Sequence, residues 1–344
     1  MKISNIKISQ QYKPFIIAEM SGNHNQSIEK ALKIIEVAAK TGAQAIKLQT
    51  YTADTMTIDM KGGLFDIKDP TSLWENRNLY DLYSEAHTPW EWHEQLYKCA
   101  AANGILCFST PFDDTAVDFL ESLNTPAYKI ASFENIDHPL LRKVAKTGKP
   151  VIMSSGVCSL ADLAESVQVL KDSGCKDIVL LKCTSNYPAS PENSNVRTIP
   201  HMRELFKCEI GLSDHTMGIG VPIAAVTLGA TVVEKHFTLS RAEGGVDSAF
   251  SLEPDEMKSL VIETERAWQS LGEVQYGIQE TELKSLSFKR SVYVVKDIES
   301  GEEFSRDNIR LIRPGDGLHP RFYDGLLGRK SSRDYKRGEP FKIR

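Results

Sequence analysis

Along roughly the first 270 residues, short β-branched or apolar runs alternate with stretches whose apolar positions recur every three or four residues. The runs Phe15 to Ser21, Ala45 to Thr50, Leu106 to Thr110, Ala127 to Ser132, Val151 to Ser155, Ile178 to Thr184, Glu209 to Ser213 and Val232 to Phe237 read as strands. Helix patterns lie between them. Ser27 to Thr41 has Ser27 as N-cap and Gly42 as stop, Ser159 to Ser173 ends at Gly174, and an amphipathic helix is expected between Thr216 and Val232. Eight strand–helix units, closed by a last helix from Pro254 to Leu271, predict a (β/α)8 TIM barrel spanning residues 1–271. A doubly wound sheet is the alternative, disfavoured because no G-x-G-x-x-G turn follows the first strand.

The pattern breaks in two places. Tyr51 to Pro89 is a 39-residue excursion containing Gly62-Gly-Leu-Phe65, Trp74, Tyr80 and Tyr83, long enough to cover a substrate at the C-terminal face of a barrel. A polar connector over 272–289 then leads to a small unit, 290–344, of short strands and turns such as Ser291 to Val295, Glu299 to Glu302 and Arg313 to Leu318. Charge separates this tail from the rest. Residues 280–344 carry 15 Lys and Arg against 11 Asp and Glu, while the whole chain of 344 residues has a net charge of -5. The tail lacks the Lys/Arg clusters interleaved with aromatics that nucleic-acid binding needs.

No apolar run approaches the roughly 18 residues of a membrane span, and Met1-Lys-Ile-Ser-Asn-Ile lacks the core of a secretory signal, so a cytoplasmic protein is expected. The six cysteines contain no C-x-x-C pair and read as reduced, buried thiols.

A barrel gathers polar residues from its C-terminal strand ends into one pocket. Those ends supply Glu19 with Asn23 and His24, Lys47 and Gln49, Ser109 and Thr110, and Lys129, Ser132 and Glu134 from strands one to four. Strands five to eight add Ser154, Ser155 and Gly156, then Thr184, Ser185 and Tyr187, then Ser213, Asp214 and His215, and finally Glu234, Lys235 and His236. A lysine at a strand end is usually a rim residue. Lys47 and Lys129, however, lie in core-like runs, where an unpaired ammonium is costly, and so they point to function. With the hydroxyls and a glycine they suit a phosphate and a carboxylate, hence a doubly anionic substrate. His215 and His236, on adjacent strand ends, could hold one divalent metal in an open site. Asn23-His24-Asn25 fits either a ligand or an ordinary turn, and His87, His93, His138, His201 and His319 read as structural or surface residues.

Five segments, Phe15 to His24, Ala45 to Thr50, Tyr128 to Glu134, Gly211 to His215 and Val233 to His236, resemble the sialic acid synthase family, and the tail resembles its antifreeze-protein-like (SAF) domain. Gly62 to Phe65, Leu79 to Tyr83, Thr88 to His93 and Lys182 to Ser185 are most similar to the family's pseudaminic acid branch. N-acetylneuraminate synthases typically carry Asn where this chain has Ser185.

The resemblance implies condensation of phosphoenolpyruvate with an N-acetylated amino sugar aldehyde, giving a nine-carbon 2-keto acid and phosphate. It implies that His215 and His236 bind Mn2+, or Mg2+ or Co2+ in its place. Lys47, Thr110, Lys129, Ser132, Ser154, Ser185 and Ser213 would hold phosphoenolpyruvate. Gln49, Tyr187, Asp247 and Arg313 would face the sugar, and Glu134, with Glu19 as second candidate, would manage the proton of the attacking water. It further implies a domain-swapped homodimer in which Arg313 serves the partner's barrel. For a 2,4-diacetamido-2,4,6-trideoxy sugar the pocket should be more apolar than for N-acetylmannosamine, and the Gly62 to Tyr83 loop could supply that surface. Alternatives are another amino sugar, or a catalytically silent carbohydrate-binding barrel.

Overall fold

The computed structural model describes residues 1–70 and 72–342 and divides into two units, Met1–Gly272 and Glu273–Arg344. In the first, eight parallel strands form a closed barrel in sequence order: β1 Phe15–Glu19, β2 Ala45–Thr50, β3 Leu106–Pro111, β4 Tyr128–Ile130, β5 Val151–Ser154, β6 Ile178–Cys183, β7 Glu209–Asp214 and β8 Val232–His236. All eight expected strands are present. β4 is shorter than its run, so Ser132 and Glu134 fall on a 3-10 turn after it.

The surrounding helices are α1 Ile28–Thr41, α2 Ala53–Met56, α3 Leu79–Ala86, α4 His93–Ala102, α5 Asp114–Ser122, α6 His138–Lys146, α7 Leu160–Asp172, α8 Thr198–Phe206, α9 Gly220–Thr227 and α10 Pro254–Ser270. Local chemistry fixes their ends. Ser27 caps α1 by accepting from the Lys30 N–H, Gly42 ends it at φ +93°, and Ser159 with Asp162 forms a capping box on α7. α9 differs from its expectation: its sequence Gly-Val-Pro-Ile-Ala-Ala-Val-Thr is apolar on most sides instead of amphipathic, which suits a helix packed on α10 and β7.

Two apolar layers hold the barrel. Outward-facing side chains such as Ile46, Leu48 and Val233 pack on the helices, while Phe15, Ile17, Ala45, Phe108, Ile152, Val179, Leu181 and Val232 fill the interior. A short N-terminal hairpin pairs Lys2–Ile3 with Ile6–Lys7 and adds the fully buried Ile3 and nearly buried Ile8 to that interior cluster. At about 25 cal/mol per Å2 of apolar surface, each such side chain contributes on the order of 2 kcal/mol.

In the second unit the strands β9 Ser291–Val294 and β10 Ile309–Ile312 pair antiparallel over a small core including Val292, Ile298, Phe304, Tyr335 and Phe341. The expected polar connector contains a 3-10 helix over Glu280–Phe288.

Candidate active site

Period-two alternation selects the side chains that meet inside the barrel. In β2, Ala45 joins the interior cluster while Ile46 and Leu48 join the outer one, so Lys47 and Gln49 share the inner face with Ala45. In β8, Val232, Glu234 and His236 share the inner face, while Lys235 turns outward to Asp214, its ion-pair partner at 2.5 Å. That pair is structural, although both residues belong to the strand ends singled out above. Strand register sets Glu19 beside both Lys47 and His236, and Glu234 beside Ser213.

The result is a buried polar layer above the apolar filling. Lys47 Nζ lies 2.6 Å from Glu19 Oε2 and 3.9 Å from Glu234 Oε1, and donates to Thr110 Oγ1 at 3.1 Å. Lys129 Nζ donates to Ser154 Oγ at 2.7 Å and lies 3.7 Å from Glu234 Oε1, which also accepts from Ser213 Oγ at 3.2 Å. Glu234 is therefore the shared counter-ion of both lysines, a role that strand position alone did not disclose.

Burial tends to neutralise each of these groups, and the neighbours decide the outcome. It pushes Glu19 up to about 7 in spite of Lys47. Glu234 resists the same push because Lys129 and Lys47 hold it below the usual carboxylate range. For Lys47 burial is outweighed by Glu19 and Glu234, which raise it, whereas burial wins at Lys129 and lowers it. Such a layer can accept an anion of high charge, because its two ammonium groups are already desolvated and aimed inward.

Beside it, Ser132 Oγ accepts the Gly156 N–H at 3.2 Å. A Cβ on Gly156 would come within 2.2 Å of Ser185 Oγ and 2.6 Å of Ser132 Oγ, so only glycine lets these hydroxyls close in. Asn135, which sequence reasoning passed over, fixes this loop by donating to the Gly156 carbonyl at 3.0 Å and the Ser154 carbonyl at 3.3 Å.

The rings of His215 and His236 are 5.4 Å apart. His215 Nδ1 faces the Thr184 carbonyl at 3.1 Å, and the Cys183 thiol is 4.0 Å from the same nitrogen. Although burial works against it, the Cys183 contact raises His215, and the thiol falls to about 7 against its own burial. Burial, reinforced by His215, keeps His236 neutral, and its Nδ1 is buried without a partner. Two neutral-capable imidazoles, one with an orphaned nitrogen and the other oriented by a carbonyl, fit a divalent cation. Among the described residues no group of three or more His, Cys, Asp or Glu could hold a metal, so the protein would supply two ligands and leave positions open.

A cavity of about 470 Å3 opens beside this pair, lined by Gln49, Glu134, Ser185, Tyr187, His236 and Asp247 among the expected residues. Gln49 Nε2 donates to Glu19 Oε1 at 3.1 Å, and the Tyr187 ring is 4.4 Å from that of His215. Asp247 is raised by burial against the opposing hydrogen bond from the Ser21 hydroxyl. Glu134 is pushed up to about 7 by burial, with Oε2 unpartnered.

Other expected residues lie elsewhere. Arg313 belongs to the second unit, exposed, with its guanidinium 5.9 Å from the Phe288 ring. Gly62 to Phe65 and Tyr80 do not line the cavity, and Leu64 is 95% exposed; the loop reaches it instead through residues including Leu73, Trp74 and Tyr83. His24 is buried and structural, its Nδ1 accepting the Gln26 N–H at 3.1 Å, and burial lowers it to about 4.

A NeuB family model matches residues 34–276 and a SAF domain model matches residues 289–343. The chain is 46% identical to a pseudaminic acid synthase of Campylobacter jejuni over 99% of this chain and 98% of that protein. It is 42% identical to a pseudaminic acid synthase of Helicobacter pylori over 95% and 96% respectively. The crystal structure of an N-acetylneuraminic acid synthetase from Leptospira borgpetersenii superposes with a TM-score of 0.73 at 32% identity, covering 83% of this chain and 94% of that one. The barrel, its polar layer and these likenesses agree: the chain belongs to the NeuB family and carries a SAF domain.

Proposed function

We propose that this chain is a pseudaminic acid synthase, an enzyme that condenses phosphoenolpyruvate with 2,4-diacetamido-2,4,6-trideoxy-L-altrose to give pseudaminic acid and phosphate. The observation that carries this reading is the buried layer of Lys47, Lys129, Glu19 and Glu234 directly beneath two imidazoles and a cavity. The near full-length identity to two pseudaminic acid synthases supports the choice of sugar.

Lys47 and Lys129, with Thr110, Ser132, Ser154, Ser185 and Ser213, hold the phosphate and carboxylate of phosphoenolpyruvate. Gln49, Tyr187 and Asp247 orient the sugar so that its aldehyde carbon faces C3. C3 then forms the new C–C bond, the aldehyde oxygen takes a proton to become a hydroxyl, and water adds at C2 while giving up a proton. Glu134 is our first choice as acceptor of that proton and Glu19 the second: burial pushes both up to about 7, but Glu134 lines the cavity with its Oε2 unpartnered, whereas Glu19 is ion-paired to Lys47. The C2–O bond breaks as the C2 hydroxyl gives up its proton to become the ketone, and phosphate leaves with the bridging oxygen and that proton. Enzymes of this family are generally metal-dependent, and a divalent ion, Mn2+ in our reading or Mg2+ or Co2+ in its place, would supply Lewis acidity toward the aldehyde when bound to His215 and His236.

The working form in this reading is a homodimer in which Arg313 reaches the sugar in the partner's barrel, acting on small molecules without nucleic acid or membrane. No helix among the described residues is long and apolar enough to cross a membrane. A cytoplasmic setting agrees with six unpaired cysteines and with phosphoenolpyruvate as substrate.

The test is phosphate release from phosphoenolpyruvate with Mn2+ and, in turn, the diacetamido-trideoxy-altrose, the legionaminic acid precursor and N-acetylmannosamine. Release is expected with the first sugar alone. Comparable turnover of N-acetylmannosamine would remove the branch assignment, and no release with any sugar would favour a binding protein.

A further inference from the structure

The loop between β2 and α3 is a built wall. Within it the Ile67 N–H donates to the Arg77 carbonyl at 2.8 Å and the Asn76 N–H to the Ile67 carbonyl at 2.8 Å, a pairing that ties the two sides of the loop together. Asn78 Nδ2 holds its base by donating to the Met60 carbonyl at 2.9 Å and to Asp66 Oδ1 at 2.9 Å. In the same loop, Ser72 Oγ accepts the Trp74 N–H at 3.1 Å.

The Trp74 side chain crosses to the other side of the cavity. Its Nε1 donates to the Val246 carbonyl at 3.0 Å, one residue before Asp247, and its ring lies 5.8 Å from that of Tyr187. Tyr187 in turn packs 4.4 Å from His215. A chain of tilted rings thus runs from His215 through Tyr187 to Trp74, and Leu73, Leu82, Tyr83 and Phe112 add apolar lining to the same cavity.

We propose that Trp74 is a specificity-determining residue, closing the outer end of the sugar pocket against the terminal C6 methyl of a 6-deoxy sugar. This rests on the function proposed above. With its aldehyde at the imidazoles, an extended six-carbon chain carries C6 toward the far end of the cavity, against Trp74. A methyl group against the indole gains apolar contact, whereas a 6-hydroxyl would lose water on that ring face, leaving the polar lining residues Ser72 and Asn186 as its nearest recourse in the cavity. A hydrophobic pocket rejects an added hydroxyl by on the order of 100-fold. Because the indole is fastened by its own N–H to a second loop, the wall is rigid before the sugar arrives, which limits the ordering cost of binding.

The experiment measures kcat and KM of wild type, Trp74→Phe and Trp74→Ala with 2,4-diacetamido-2,4,6-trideoxy-L-altrose and with its 6-hydroxy counterpart. Thermal melting is recorded for all three proteins. Wild type is expected to prefer the 6-deoxy sugar by on the order of 100-fold in kcat/KM. Trp74→Ala should raise the KM for that sugar by about tenfold and bring the preference toward unity, with the KM for phosphoenolpyruvate unchanged. Trp74→Phe should keep the preference, since it retains an apolar ring, but raise the sugar KM through the lost bond to Val246. A Trp74→Ala enzyme that is folded and retains both the sugar KM and the preference of wild type would overturn the proposal. Equal loss for both sugars and for phosphoenolpyruvate would also overturn it, by making Trp74 a general support. Wild type inactive on both sugars would overturn the proposed function, and the wall with it.

Discussion

Glu19 and Lys47 form an ion pair at 2.6 Å in which both side chains are nearly sealed from water, at 1% and 5% exposure. Desolvation of two charges costs several kcal/mol, so the pair adds little net stability, but removing one member strands the other. Lys47→Met is expected to lower stability by about 3 kcal/mol, which for a domain of this size shifts the melting temperature by about 10 °C, and to abolish turnover. Adding Glu19→Gln to that variant should restore most of the stability and none of the activity. Calorimetry of the two single variants and the double variant measures the coupling. Strictly additive losses would mean that the two groups do not depend on each other.

Glu134 predicts a pH dependence of both stability and rate. Its carboxyl titrates near 4.5 when exposed and at about 7 in the fold, because burial disfavours the anion. The folded state therefore holds the proton more tightly, so the contribution of this group to stability is complete below the unfolded value and is lost as pH rises through about 7. Glu134→Gln, which cannot ionise, should gain on wild type by on the order of 3 kcal/mol between pH 4 and pH 9 in denaturant titrations. Its kcat should fall by a factor of about 100 to 10,000 and lose a rising limb near neutral pH. A Gln variant with the wild-type pH profile would move the base elsewhere.

Metal removal should silence the enzyme without unfolding it. His236→Ala is expected to retain the far-ultraviolet spectrum of wild type while losing bound divalent metal, measured by elemental analysis, together with turnover. Chelator-treated wild type should recover activity on addition of Mn2+. Full activity in a demetallated sample would exclude the proposed metal role.

Arg313 can be tested by mixing two inactive variants, His215→Ala and Arg313→Ala. If Arg313 serves the partner's barrel, a jointly refolded mixed dimer contains one site with every required residue. About a quarter of the wild-type activity should then return, from random pairing of two chains. If the second unit serves its own barrel, every site keeps one lesion and no activity returns.

All eight barrel strands were legible because each is a short apolar or β-branched run with a polar end, bounded by cap or turn residues that act locally. The convergence of Lys47, Thr110, Lys129, Ser154 and Ser213 was legible for a related reason: closing a barrel brings inward-facing strand ends together wherever they lie in sequence. The role of Glu234 was not, because being counter-ion to two lysines depends on distances across the closed interior. Nor was the reach of Trp74 to the Val246 carbonyl, since a 39-residue excursion between two barrel strands does not encode against which distant loop its side chains will land. For the same reason Gly62 to Phe65, which drew notice by composition, lies outside the cavity that Trp74 lines.

The N-terminal hairpin buries Ile3 and Ile8 in the same cluster as Phe15, Ala45 and Val232, at the N-terminal ends of their strands. With that end closed and the barrel packed solid above it, both substrates of the proposed reaction have to reach the polar layer from the C-terminal face. In the proposed reaction phosphoenolpyruvate lies deepest, on Lys47 and Lys129, and the sugar lies nearer the exit. The expected consequence is an ordered reaction, phosphoenolpyruvate binding before the sugar and phosphate leaving after the nine-carbon product, which product-inhibition kinetics would check.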